Sequence, residues 1–84
     1  MKEIKTDNYA FDNEIYEIKA YRTDNGFKII SYKSGQRANP YTYSVSDMTD
    51  FDFKIYTGEN AFEKLMQVAK DDIAQGFVYG KKLK

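Results

Sequence analysis

The chain has 84 residues, with 13 Lys and Arg balanced by 13 Asp and Glu, and it contains no Cys and no His. Zero formal charge argues against a generic polyanion binder. Lack of Cys excludes disulfides, zinc ribbons and thiol nucleophiles, and lack of His removes the commonest general base and metal ligand. A chain this short makes one domain near the small end of what folds unaided, and its eight Tyr and six Phe supply the large buried area per residue that such a core needs. No apolar run approaches the ~20 residues of a membrane span, and MKEIKTDNYAF carries no signal-peptide core. A cytoplasmic protein without membrane contact is the expectation.

Residues 1–13 read as an edge strand or an arm, with Ile4, Tyr9 and Phe11 able to dock on a core. Glu14–Arg22 reads as a strand whose core face is Tyr16, Ile18 and Ala20. Thr23-Asp24-Asn25-Gly26 is a hairpin signal through its Asn-Gly pair. Phe27–Lys33 is the next strand, with either Phe27 and Ile29 or Ile30 and Tyr32 inward. After the loop Ser34–Pro40, Tyr41–Ser46 alternates, with Tyr41, Tyr43 and Val45 on one side. Asp47–Asp50 reads as a turn. Phe51–Tyr56 alternates again and predicts a further strand with Phe51, Phe53 and Ile55 inward.

Thr57–Gly76 is the clearest helix. Phe62, Leu65, Met66, Ala69 and Ile73 share one face of a 3.6-residue period. Thr57, or Asn60 with Glu63, can cap its start, and Gly76 suits a left-handed stop. In the tail 77–84, Phe77-Val78-Tyr79 is an apolar run that packs on the helix or adds an edge strand, and KKLK after Gly80 is frayed. The expected fold is therefore α+β: an antiparallel four-stranded meander over 14–56 with one C-terminal helix, 57–76, packed on one face (β-β-β-β-α).

That element order resembles the fold of single-stranded-DNA-binding transcriptional coactivators. The segment YTGENAFEKLMQVAKDDI is similar to the strand-to-helix junction of small HicB-type antitoxins. Neither likeness implies a site residue.

Asp47, Asp50 and Asp52 could hold a hard cation, but the ligand spacing and turn glycine of a calcium loop are missing, so no metal, cofactor or catalytic residue is assigned. Residues 17–37 carry Lys19, Arg22, Lys28, Lys33 and Arg37 against two acidic side chains, a local charge of +3. Residues 44–63 carry five acidic side chains against one basic, a local charge of −4. The expected function is a small non-enzymatic binding protein acting by protein–protein contact, an inhibitor or accessory protein of the kind mobile elements encode. Its expected anchors are Tyr21, Arg22, Tyr32, Arg37 and Tyr41, since Tyr and Arg are favoured at interfaces. The alternative is single-stranded nucleic-acid binding by the same basic, Tyr-rich hairpin. Unpaired sheet edges suggest a homodimer.

Overall fold

The computed structural model describes residues 1–83. Four antiparallel strands lie in sequence order, β1 (Lys2–Phe11), β2 (Glu14–Thr23), β3 (Gly26–Lys33) and β4 (Gln36–Ser46), followed by helices α1 (Asp47–Thr57) and α2 (Ala61–Ala74). The α+β class and the antiparallel meander agree with the sequence reading. The element order does not: Phe51–Tyr56 is helix rather than strand, and Lys2–Phe11 supplies the fourth strand in its place. The helix expected over 57–76 is α2, which starts later, at Ala61, and a second helix, α1, takes the place of the expected turn 47–50 and strand 51–56.

Turn chemistry explains the strand inventory. Asp12 and Asn13 both have positive φ (54° and 64°), as do Ser34 and Gly35 (52° and 79°). Two consecutive left-handed residues match the right-handed twist of paired strands, so these turns close the β1–β2 and β3–β4 hairpins. The β2–β3 turn is centred on Asp24–Asn25, because Thr23 pairs with Gly26. Gly26 is therefore a strand residue, and its role is steric. A Cβ there would lie 2.2 Å from the Val45 carbonyl oxygen.

Helix α1 forms because both ends are capped. Ser46 Oγ accepts the Thr49 N–H at 3.2 Å, Asp47 and Asp50 suit the positive end of the dipole, and Lys54 the negative end. Gly58, at φ 76°, closes the helix by donating its N–H to the Lys54 carbonyl at 2.8 Å. Helix α2 starts at Asn60, whose side chain makes no capping bond. Asp50 of α1 does this work instead, accepting the Ala61 N–H at 2.8 Å. Gly76 ends α2 as read from sequence. Its N–H bonds to Ile73 and that of Phe77 to Asp72, the paired bonds of a Schellman stop.

The core lies between α2 and one sheet face. Met66, Ala69 and Ile73 pack with Tyr16, Ile18, Ala20, Ile29, Ala38 and Val78, all at most 4% exposed. The inward set of β3 is thus Phe27 and Ile29, and Phe27 stacks on Phe62 at 4.8 Å between ring centroids. Ion pairs Lys5–Glu63 (2.7 Å) and Lys70–Asp7 (3.2 Å) flank the helix along β1.

On the other side, β4 departs from its register. Ile30 pairs with Thr42 and Tyr32 with Arg37, so Ala38, Asn39, Pro40 and Tyr41 face the single residue Ser31. Fully buried Asn39 fills this irregularity: its Nδ2 donates to the Phe77 carbonyl (3.1 Å) and its Oδ1 accepts the Tyr41 N–H (3.1 Å). The Tyr79 N–H continues to the Ala38 carbonyl at 2.8 Å. Residues 77–83 are therefore latched to β4, and Lys81 pairs with Asp12. The fraying expected of KKLK is corrected for Lys81–Leu83, whose N–H groups bond back to Val78 and Gly76; Lys84 lies outside the described residues.

Two stability measurements check this account. Asn39→Ala leaves a buried carbonyl and N–H unpaired, so unfolding free energy falls by about 1–3 kcal/mol, and hydrogen exchange accelerates first in residues 77–83. Gly26→Ala forces strands β3 and β4 apart locally and costs about 1–3 kcal/mol in a chemical denaturation curve.

Candidate interaction surface

The five anchors expected from sequence do not form one surface. Tyr21, Tyr32 and Arg37 project from the sheet face opposite α2. Arg22 belongs to the helix side, where its guanidinium makes a two-pronged contact with Asp47 and sits 4.8 Å over the Phe27 ring. Tyr41 also lies toward α2 and the latch, edge-on to Tyr43 and Phe77 at 6.4 and 6.5 Å.

The open sheet face is largely satisfied within itself. The Tyr21 hydroxyl donates to Tyr32 at 3.2 Å, Lys19 lies over the Tyr32 ring, and Arg37 donates to the Tyr41 carbonyl (2.8 Å) and to Thr42 Oγ1 (3.0 Å). These side chains surround Ile30, which pairs with Lys19 and Thr42 and is only 6% exposed although no element covers it. Three of the five basic residues are similarly engaged: Lys19 pairs with Glu3 (3.1 Å), Arg22 with Asp47 and Lys33 with Glu14 (2.6 Å). The Arg22 hydrogen bond holds the Asp47 carboxyl below its ordinary range. Nor do the three aspartates converge as a cation site. Asp47 is bound to Arg22 and Asp50 to the Ala61 N–H, and no cluster of three potential ligands occurs among the described residues.

The large apolar exposure lies elsewhere. Met48, Phe51, Ile55 and Tyr56 of α1 are 77%, 64%, 62% and 87% exposed, and no residue of α1 is buried. At about 100° per residue, Met48, Phe51 and Ile55 fall within one 60° sector, with Asp52 and Tyr56 beside it. The half-buried residues of this helix, Asp50 and Phe53, are on its opposite side. The sequence reading of Phe51 and Ile55 as inward-facing strand residues is thus reversed: both point to solvent from a helix. Spacing of i, i+3 and i+7 from Met48, with Ser46 as a cap, was the available signal for this face. It was masked because FDFKIY alternates equally well with a period of two.

No protein-family model, curated protein or solved structure matches the chain. The antitoxin likeness also loses its junction, because Tyr56 ends a helix instead of a strand. Among the described residues no helix is long and apolar enough to cross a membrane.

The tyrosine pair of the open face gives a titration test. Burial and then the Tyr32 hydroxyl push the Tyr21 phenol up to about 12, from an ordinary value near 10. A raised folded-state value favours the protonated fold, so this contribution is complete below pH ~10 and is lost as pH rises through about 12. Phenolate absorbance should show a late step near pH 12 that Tyr21→Phe removes.

Proposed function

We propose that the chain is a small non-enzymatic binding protein of the inhibitor or accessory type, acting by protein–protein contact through the outward face of α1. The observation that carries this reading is the solvent-facing run Met48, Phe51, Ile55 and Tyr56. Exposing four large side chains on one short helix has no use in the fold, whose core is complete between α2 and the sheet. A contiguous apolar surface rimmed by polar residues is what a protein interface requires. Phe51 and Tyr56 are the aromatic anchors of such a surface.

Helix α1 is also held in a way that suits presentation. Its tethers are Arg22 to Asp47, Asp50 to the Ala61 N–H, and the Asp47 N–H to the Asn25 carbonyl at 3.0 Å. All three lie at its first turn, so the contact face needs no rearrangement to be offered. The nucleic-acid alternative has less support, because Lys19, Arg22 and Lys33 are already in ion pairs and Arg37 in hydrogen bonds.

Phe51→Gln with Ile55→Gln tests the reading, since Gln keeps helix propensity. Global stability should change by no more than about 0.5 kcal/mol per site. Affinity for a protein retained from native lysate by the unaltered chain should fall at least ~10-fold, as for anchor residues worth 1 kcal/mol or more each. Retention unchanged by this pair but lost on Tyr32→Ala would move the surface to the open sheet face.

A further inference from the structure

We infer that the occupant of the α1 face is a protein groove that is apolar in its floor and carries an Arg or Lys placed to meet Asp52, and that it is not a second copy of this chain. This deepens the reading of α1 as the contact surface and rests on it. The carboxylate of Asp52 is the informative group. Of the three aspartates on α1, Asp47 is bound to Arg22 and Asp50 caps Ala61, so both are satisfied inside the fold. Asp52 is exposed and sits one helical turn from Met48 on one side and from Ile55 and Tyr56 on the other.

Any partner that covers Met48, Ile55 and Tyr56 also removes water from Asp52. Burying an unpaired carboxylate is strongly unfavourable, so a purely apolar groove would be rejected. A cation at that place turns the same carboxylate into a source of specificity. Asp52 is also the charge this region leaves to a partner, because Asp47 is paired with Arg22, Glu59 with Lys64 (3.3 Å) and Glu63 with Lys5 (2.7 Å).

Self-association fails on the same ground. In a two-fold contact a surface meets its own copy, so pairing two α1 faces would bring each acidic helix and its Asp52 against the other. Lys54 is the one basic residue of α1. At about 100° per residue it lies some 160° around the helix from Asp52 and outside the sector of Met48, Phe51, Ile55 and Tyr56, so a face-to-face pair of α1 helices does not present it to the other copy's Asp52.

A photo-cross-linking side chain installed at Met48, in chains carrying Asp52, Asp52→Asn or Asp52→Lys, tests the inference in native lysate. Cross-linkers at Tyr32 and at Tyr79 report on other surfaces. The expected result is a cross-link from position 48 to a different protein. After that protein is purified, its affinity should fall about 5- to 10-fold with Asp52→Asn and at least ~100-fold with Asp52→Lys, a loss recovered by reversing one Arg or Lys of the partner to Glu. A position-48 cross-link whose partner binds Asp52→Lys equally well would overturn the basic groove while leaving α1 as the contact face. Cross-linking between two copies, with a dimer mass in sedimentation that Asp52→Lys leaves intact, would also overturn it. Capture only from position 32 or 79 would remove α1 itself, and with it this inference, while protein contact as such would survive.

Discussion

Burial of one face of α2 against β2 and β3 is the contact on which the rest of the molecule depends. Met66, Ala69 and Ile73 meet Tyr16, Ile18, Ala20 and Ile29, with Val78 and Ala38 closing the end of the layer. An isolated helix of fourteen residues is marginal in water, and a bare antiparallel sheet of this size leaves an apolar face wet. Each element therefore needs the other. Burying a large side chain of this kind stabilises by about 1.5–3 kcal/mol, against about 1–2 kcal/mol per residue of backbone ordering, so in a short chain few such contacts are dispensable.

That core places the sheet edges under different regimes. The β4 edge is covered in part by the latch after α2, held through Asn39 and the Ala38 carbonyl. Irregularity in β4 has a cost visible beside it, because the buried Ser31 hydroxyl finds no hydrogen-bond partner among the described residues. The β1 edge is protected differently. Its register shifts between Glu3 and Lys5, and it carries Lys2, Glu3, Lys5 and Asp7. A bulge and alternating charge are the devices by which an edge strand resists pairing with another chain.

Helix α1 stands outside this economy. It is secured at its first turn by polar contacts to the β2–β3 hairpin and to the start of α2, and it contributes no buried residue to the core. Its apolar side chains are consequently free to serve a surface. Those first-turn tethers, with capping at Ser46 and Gly58, explain why a helix with its apolar face in water is maintained. The proposed contact surface is thus presented by polar chemistry and defined by apolar chemistry.

Periodicity was sufficient where one face of an element is buried and the other is wet. Tyr16, Ile18 and Ala20, the stripe of α2 and the left-handed stop at Gly76 could all be read from residue spacing, because the core physically selects for that spacing. It was insufficient for Phe51–Tyr56, where a period of two and a spacing of i, i+3, i+7 coexist in one segment. Capping at Ser46, the Arg22–Asp47 contact and the Asp50–Ala61 bond decide for helix there, and two of these link residues eleven and twenty-five positions apart. Tyr21, Tyr32 and Arg37 share a face, as the sequence suggested, whereas Arg22 and Tyr41 were separated from them by strand alternation and by the irregularity of β4. The sequence by itself determined that a helix must cover an antiparallel sheet, since only that arrangement buries its periodic apolar residues. Which apolar residues were left over for a surface was decided by the tertiary structure alone, because exposure depends on what the rest of the chain has already covered.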